Sequence, residues 1–509
     1  MCGEQPSPVE PRANAGEPAR PIDETLHLLL VGGTWNTVSV VLSRFLPNVL
    51  VVILALFVEP SELGVYSYIL ASYTVLSLFA DLGIAFSLQK FIQENLGETP
   101  RMATTALVLR LLSSAALSAA CLAADYFWQA LKGQGLYISL LLVSSAFGTT
   151  IFVLNARLKY KKASLLTMAR TVLWFGLALV LVSAGWHITG PVWSFFLAFI
   201  VIGLLTVLLE RPLFAASLDW SFARKAILFG VPMTAASGFS VLASQAGVLG
   251  IAYLLTESEV GVYKLATILG MIPLLLGDGL VIPLLPLVKK KLVERSTETA
   301  GLILWLVRFL TGVGLFALGA GLVLVEPLIR LVFGAEYLGS VGPSRILLGA
   351  SVLGLLFTVL LAILYMSDDL KTAVRITGLV AGLSVAGSLA LIPRFGARGA
   401  ASSLVVAFGV GLALVGAWLR RRFALSFEWR KYGLYLLSTA EMAVLLALLV
   451  PSLPGRITGL LAGIVLAPCL YVAALLLQGG LTKAEISRLG QIIRTRSAED
   501  QPWKSGGGR

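Results

Sequence analysis

Apolar runs of about 20 residues recur along this chain from one end to the other. Each run is long enough to cross a hydrocarbon core of about 30 Å as a helix. Hydrophobic residues make up 57% of the 509 residues and charged residues only 13%, which is too little charge for a water-soluble surface. Hydrocarbon offers no water to satisfy backbone groups, so the spanning segments must be helices. The sequence therefore predicts an all-α integral membrane protein.

The apolar runs predict about fourteen transmembrane helices between residues 29 and 477, joined by short loops. With the N-terminus inside, about 27 lysines and arginines fall on the cytoplasmic side and about 6 outside. This asymmetry predicts a multi-pass protein of the cytoplasmic (inner) cell membrane with both termini in the cytoplasm. The predicted units are a polar N-terminus (1–28), spans 1–6 (29–210), spans 7–12 (211–420), spans 13–14 (421–480) and a cytoplasmic tail (481–509).

An internal repeat relates the two groups of six spans. Ser61–Tyr66 (SELGVY) recurs as Ser258–Tyr263 (SEVGVY), at an offset of about 197 residues. The same offset places Asp81 opposite Asp278, and Asn48 opposite Gln245. Six is an even number of spans, so both copies enter the membrane from the same side. The repeat predicts two six-helix lobes related by a pseudo-two-fold axis along the membrane normal, with a polar cavity between them near Asn48 and Gln245.

Ionisable residues inside the predicted spans are the candidate functional groups, because each costs about 2.5–3.5 kcal/mol on insertion scales unless it finds a partner or water. Asp81 and Asp278 lie in spans 2 and 8. They are candidate proton- or sodium-coupling carboxylates, and the alternative is a helix-packing or hinge contact. Arg44 in span 1 lies at a depth similar to that of Asp81, so the two residues are a candidate ion pair.

Four further arginines form two pairs in equivalent helices of the two halves. Arg110 and Arg308 occupy spans 3 and 9, and Arg170 and Arg375 occupy spans 5 and 11. Together with Arg44 they predict a cationic cavity lining, since the planar guanidinium suits phosphate oxygens. The alternative is that the arginine side chains reach the interface from positions near the helix ends.

Several function classes lack their sequence signals. The net charge of +12 follows the cytoplasmic loops and indicates no nucleic-acid partner. Three scattered cysteines and two histidines show no metal-ligand spacing, so we expect no metal and no bound cofactor other than a coupling H⁺ or Na⁺. Loops of at most about 17 residues leave no room for a catalytic or nucleotide-binding domain, and no phosphate-binding loop motif is present. The protein is therefore not expected to be an enzyme.

Four segments resemble the polysaccharide-repeat flippases of the multidrug/oligosaccharidyl-lipid/polysaccharide exporter superfamily: Glu62–Tyr66 with its repeat, Ala80–Gly83, Phe333–Tyr337 and Leu391–Ala401. The resemblance extends from about residue 28 to 477 in order and spacing. It implies a polyprenyl-diphosphate-linked oligosaccharide as substrate, ion-gradient coupling rather than ATP, and polysaccharide-assembly proteins as candidate partners. The chain departs from the family at Gln245–Gly247, where second-half copies often carry an Asp.

The sequence therefore predicts a flippase that moves a lipid-linked oligosaccharide from the cytoplasmic to the outer leaflet by alternating access. Three alternatives stay open. One is a flippase for lipid II or another lipid-linked precursor. Another is a drug or cation antiporter of the same superfamily, although those usually have twelve spans. The third, from a different class, is a membrane glycosyltransferase or ligase, which usually carries a larger outer loop than the short one predicted at residues 326–342.

Overall fold

The computed structural model describes residues 22–214, 217–274, 299–367, 369–423, 428–453 and 455–479, and every regular element in these residues is helical. The α-helices, in chain order, are α1 (Ile22–Phe57), α2 (Pro60–Asp81), α3 (Ile84–Glu94), α4 (Thr99–Trp128), α5 (Gly135–Ser145), α6 (Thr149–Ala156), α7 (Tyr160–Ser183), α8 (Thr189–Leu209), α9 (Trp220–Leu254), α10 (Glu257–Gly270), α11 (Thr299–Val332), α12 (Val341–Met366), α13 (Leu370–Phe395), α14 (Ala397–Phe423), α15 (Trp429–Ser452) and α16 (Arg456–Leu477). Short 3₁₀ turns lie between some of them.

Twelve helical stretches in the described residues are long and apolar enough to span a membrane, and a thirteenth is obtained if the two parts of α9 are one span. The parts of α9, Trp220–Ala235 and Gly238–Leu254, meet at an angle of 50°. This bend follows Pro232, which has no N–H for the helical hydrogen bond. The predicted eighth span, 261–286, begins in α10 and continues into residues outside those described. The expectation of an all-α membrane protein is confirmed.

The predicted second span, 65–89, is not one continuous helix. It breaks between α2 and α3 at Leu82 and Gly83, which both adopt left-handed backbone conformations with φ of 49° and 72°. A Cβ atom on Gly83 would lie 2.1 Å from the carbonyl oxygen of Gly230 on α9. Only glycine fits this combination of positive φ and close backbone contact. The break therefore forms where the N-terminal half (α1–α8) contacts the C-terminal half (α9–α14).

The two halves also contact each other at the other end of α2. We call this end of the bundle, which carries Val58 and Leu255 and is predicted to face outside, the outer end. A Cβ on Gly64 would lie 1.8 Å from the carbonyl oxygen of Glu257, and a Cβ on Gly261 would lie 1.8 Å from that of Pro60. The two glycines belong to the two copies of the repeated sequence. Each glycine contacts the carbonyl oxygen of the residue four positions before the other glycine. Such reciprocity is expected for helices related by a local two-fold axis.

The remaining helices pack mainly within their own half. In the N-terminal half α1 and α8 lie against α7, and α4 lies against α5; in the C-terminal half α14 contacts both α12 and α13. The last two helices, α15 and α16, contact each other and α11. The predicted outer loop at 326–342 is shorter than expected, because α11 continues through Pro327 to Val332. An i,i+4 ion pair between Glu326 and Arg330, with an N–O distance of 3.2 Å, supports the additional turns.

At the end of the bundle predicted to be cytoplasmic, Glu210 joins α8 to the segment that leads into α7. Its two carboxylate oxygens accept hydrogen bonds of 2.6 Å from Lys159 and from Lys162. Burial of Glu210 acts to raise its pKa, but the hydrogen bonds and charges of the two lysines outweigh burial and hold the pKa below its ordinary value. The ionised carboxylate therefore stabilises the fold.

We expect Gly64→Ala and Gly261→Ala each to destabilise the protein by about 1–3 kcal/mol, because the added methyl group meets a backbone carbonyl that cannot rotate away. The measurement is the melting temperature of purified protein in detergent. Gly176→Ala on α7 is the control, since a Cβ there has no neighbour within 4 Å. Equal melting temperatures for all three variants would contradict a backbone-to-backbone contact at the outer end.

Glu210→Gln is expected to lower stability by about 1 kcal/mol at neutral pH, a modest value because the lysines are partly solvated. The folded-state pKa of Glu210 is depressed, so its contribution is fully present above the ordinary glutamate pKa of about 4.3. It disappears as the pH falls through the depressed value. Thermal unfolding of both proteins between pH 7 and pH 3 should show the difference shrinking on acidification, and a constant difference would contradict the ion pair.

Candidate functional site: buried charges within the helix bundle

An ion pair between Asp81 and Arg110 lies inside the N-terminal half. The Arg110 Nη1 atom is 2.7 Å from the Asp81 Oδ1 atom, and Arg110 is only 7% exposed. Arg110 stands eleven residues into α4, about 16 Å along the helix. The neighbouring Ser113 donates a 2.6 Å hydrogen bond to the carbonyl oxygen of Ala80, which fixes α4 against the end of α2. The carboxylate of Asp81 therefore has Arg110 as its partner, where the sequence had suggested Arg44.

Asp81 also lies at the break between α2 and α3, as the last residue of α2. Its carboxylate lies within electrostatic range of the backbone N–H groups of Gly83 and Ala85, which follow α2. A helix start leaves such N–H groups without intrahelical acceptors, so a negative charge nearby is favourable. This position favours the hinge alternative for Asp81, and a proton on Asp81 would weaken the Arg110 pair.

Arg170 lies beside this pair but has no acidic partner in the residues that the structure describes. Its guanidinium carbon lies 4.1 Å from the ring centroid of Phe199 on α8, in a cation–π contact. Tyr73 on α2 is within electrostatic range of Arg170 and also of Asp81 and Arg110. Arg170 stands ten residues into α7, about 15 Å along the helix. The cluster of Asp81, Arg110 and Arg170 carries one net positive charge.

Lys264 is a second intramembrane cation that the analysis of the sequence missed. It stands seven residues into α10, about 10 Å from the outer end, and is partly buried. Its ammonium group makes no hydrogen bond or ion pair with the described part of the chain. The repeat itself held the signal, because Lys264 directly follows the second copy, at the position that Ser67 occupies after the first. Among the described residues, each half therefore presents one cation inside the bundle that has no acidic partner.

The polar residues proposed from the repeat, Asn48 and Gln245, hydrogen-bond locally. The Asn48 side chain donates to the backbone oxygen of Arg44 one turn earlier at 2.8 Å, and the Gln245 amide contacts the Ser244 hydroxyl at 3.4 Å. Both side chains are partly buried, and Arg44 is exposed. Asp278, the repeat partner of Asp81, lies outside the described residues.

Arg308 and Arg375 lie nearer the predicted cytoplasmic loops. The Arg308 Nη2 atom is 3.0 Å from an oxygen of Glu428, the residue that precedes α15. The hydrogen bond from Lys431 and the charge of Arg308 lower the pKa of Glu428, despite the opposing effect of burial. Arg375 is exposed and acts electrostatically on Asp369, which caps α13 through the backbone N–H of Thr372. Arg110 and Arg170 thus share Tyr73 as a neighbour, whereas Arg308, nine residues into α11, pairs with Glu428.

The arrangement can bind anions rather than metal ions. No group of three or more His, Cys, Asp or Glu side chains in the described ranges could hold a metal. The two cations, Arg170 and Lys264, which lack acidic partners within the described ranges, have the charge to attract an anionic group, since burial strengthens such interactions.

Comparison with proteins of known structure relates this fold to membrane transporters. The structure matches that of the lipid II flippase MurJ in an inward closed conformation with a TM-score of 0.71 and 12% identity, over 86% of this chain and 97% of that one. It matches a multidrug resistance MATE family transporter of the MOP superfamily, in an inward-facing conformation, with a TM-score of 0.63 and 17% identity, over 74% and 94% of the two chains. At these identities the likeness shows the fold alone.

Sequence comparison gives the family. The probable low-salt glycan biosynthesis flippase Agl15 of Haloferax volcanii is 22% identical over 406 residues, which are 75% of this chain and 82% of that protein. The family model described as polysaccharide biosynthesis protein matches residues 29–286, slightly more than half of the chain. Twelve or more apolar helices and this match together identify the chain as a multi-pass membrane protein that belongs to the polysaccharide biosynthesis protein family.

Proposed function

We propose that this protein is a flippase that carries a polyprenyl-diphosphate-linked oligosaccharide from the cytoplasmic to the outer leaflet by alternating access. The observation that carries the proposal is that each half has a cation, Arg170 or Lys264, with no acidic partner in the part of the chain that the structure describes. A diphosphate that links a sugar to a lipid has two ionised phosphate groups, so one cation from each half would neutralise it. The similarity to Agl15 of Haloferax volcanii, a probable low-salt glycan biosynthesis flippase, supports the same substrate class.

Charge explains why such a protein is needed. Moving bare phosphate through hydrocarbon is prohibitively unfavourable, whereas a polar path through the helix bundle with fixed cations removes most of that cost. The polyprenyl tail is apolar and can stay in the lipid while the headgroup moves. Arginine offers a fork of donors for two phosphate oxygens, and lysine adds a flexible point charge.

The same charges bear on the alternatives. A drug or cation antiporter would have to bind a cation beside Arg170 or Lys264, and like-charge repulsion disfavours that. A flippase for lipid II or another lipid-linked precursor would use the same phosphate contacts, so the sugar distinguishes it. A membrane glycosyltransferase or ligase would need acidic or histidine catalytic groups in its outer loops, and the described outer loops are short.

Ion coupling is proposed through Asp81. A proton bound at the Asp81 carboxylate would break its 2.7 Å contact with Arg110 and leave that guanidinium able to bind a phosphate oxygen. Loss of the proton would restore the internal pair and release the phosphate. The proton and the headgroup would then cross in the same direction, so a pH gradient that is more acidic on the cytoplasmic side would favour export without ATP. Asp278, at the repeat-related position, is the second candidate coupling carboxylate.

Arg170→Gln and Lys264→Gln are each expected to slow headgroup translocation at least tenfold, because each removes one of two charges that neutralise the diphosphate. The measurement is loss of dithionite-quenchable fluorescence from a labelled polyprenyl-diphosphate sugar in proteoliposomes. Arg170→Lys and Lys264→Arg should retain much of the rate. Arg101→Gln is the control, as Arg101 is exposed at the start of α4.

Failure of the folded wild-type protein to move the labelled headgroup would overturn the proposed function. Full activity of both glutamine variants would overturn the assignment of the site. Efflux of a fluorescent organic cation from the same vesicles, with no headgroup movement, would favour the antiporter alternative instead.

Asp81→Asn is expected to abolish the dependence of flipping on an imposed pH gradient, because the amide cannot cycle between a paired and a protonated state. The assay compares initial rates with and without a gradient of two pH units across the vesicle. A gradient effect equal to that of the wild-type protein would rule out Asp81 as the coupling group. Arg110→Lys keeps the charge partner and should keep the gradient effect, so it controls for damage to the helix break.

A further inference from the structure

The loop between α4 and α5, residues 129–134, has an unusual built-in structure. One oxygen of Asp125 accepts the backbone N–H groups of Leu131 (3.0 Å) and Gly133 (2.9 Å), and the other accepts that of Gly135 (2.8 Å). Lys132 is held in a left-handed conformation with φ of 55°, which disfavours any residue with a Cβ. A strained residue fixed by this many hydrogen bonds suggests a function for the loop.

This loop reaches across to the C-terminal half. The Lys132 ammonium donates a short hydrogen bond to the carbonyl oxygen of Ala252, in the last turn of α9. The Tyr253 hydroxyl donates a 2.9 Å hydrogen bond back to the carbonyl oxygen of Ala130. Carbonyls in the last turn of a helix lack intrahelical partners and carry the negative end of the helix dipole. A lysine at this point therefore binds the end of α9 well.

The C-terminal half makes the corresponding contact to the N-terminal half. The segment Phe333–Ser340, between α11 and α12, places Tyr337 so that its hydroxyl donates a 3.1 Å hydrogen bond to the carbonyl oxygen of Val58, just past the end of α1. Tyr337 is only 1% exposed. In both cases the loop after the third predicted span of one half forms a hydrogen bond to the end of the first span of the other half.

We call residues 129–134 the first strap and Phe333–Ser340 the second strap.

Both straps cross the seam that the Gly64–Gly261 contact closes. Tyr68 on α2 joins the first strap to the helix contact, because its hydroxyl lies 3.1 Å from that of Tyr253. The crevice between these groups is lined by residues of both halves, including Gly64, Lys132, Gln134 and Glu257. Separation of the halves at the outer end would have to break the bonds of both straps.

We propose that the two straps form a lock at the outer end, and that their bonds set the fraction of molecules open at that end. The bonds of the first strap are the easier ones to break. Tyr253 is 56% exposed, and Lys132 can exchange its hydrogen bond to the carbonyl oxygen for one to water at little cost in free energy. The second strap is buried and would open only as the halves part. This inference adds to the proposed function, but its test measures conformation and does not depend on the substrate.

The test uses a pair of cysteines, Gln134→Cys and Glu257→Cys, in a variant whose Cys2, Cys121 and Cys469 are replaced by serine. These two positions line the same crevice from opposite halves, so oxidation should cross-link them in the closed state. In nanodiscs, Lys132→Gln combined with Tyr253→Phe should lower the cross-linking rate at least threefold. Labelling of the two cysteines by a maleimide should rise by a similar factor.

Tyr337→Phe, which removes only a hydroxyl, should act in the same direction and add to the double variant. Lys371→Gln at the start of α13, far from both straps, is the control and should leave cross-linking unchanged. Cross-linking and labelling rates equal to those of the control, in variants with unchanged melting temperature, would overturn the lock. A failure of headgroup transport with intact strap effects would instead count against the proposed function alone.

Discussion

The cost of an unpaired charge in hydrocarbon is the constraint on which the arrangement of this protein depends. The chain meets most of that cost by pairing, as between Asp81 and Arg110, or by placing charge at helix ends, as at Glu210 and Glu428. In the described part of the chain, Arg170 and Lys264 are neither paired with an acidic residue nor placed at a helix end. A charged side chain that has no fixed partner within the membrane can bind a substrate of opposite charge. The phosphorylated headgroup of the proposed substrate would be such a partner.

The second constraint is the close approach of helices. Without a hydrophobic drive between helices in lipid, association relies on close packing, which small residues permit. Gly64 and Gly261 let two helices of different halves meet backbone to backbone, and Gly83 and Gly230 do so at the other end of α2. These contacts are short because no side chain intervenes.

Much of the fold could be predicted from the sequence because hydropathy and the repeat report on it directly. The apolar runs identified the helices, and the SELGVY repeat identified the two helices that meet at the outer end. The break at Leu82 could not be predicted, since the motif Ala80–Gly83 also fits a continuous helix until Gly230 is placed against it. The partner of Asp81 was missed for a similar reason. Depth along a span locates a charge in one dimension, whereas the choice between Arg44 and Arg110 depends on which helix lies beside α2.

The site residues show the same limit. Arg110 and Arg308 occupy matching positions of the repeat, but their surroundings differ. Arg110 pairs with Asp81 in a buried cluster, whereas Arg308 pairs with Glu428. Lys264 could not be predicted from matching positions, because the first half has Ser67 at the equivalent place. Positions at which the two halves have diverged, such as Lys264 opposite Ser67, are candidates for contacts with an asymmetric headgroup.

The location of α2 joins these constraints into one mechanism. Its outer end touches α10 at Gly64, and just past its other end, at the break, Gly83 touches α9 at Gly230. Both contacts are made in this structure, so the proposed alternating access would require α2 to part from one neighbour while it keeps the other. A change of charge at Asp81, the proposed coupling carboxylate, would act beside the break, while the straps act on the opposite end of the same helix. In the proposed mechanism, Asp81 and the outer lock would therefore oppose each other through α2.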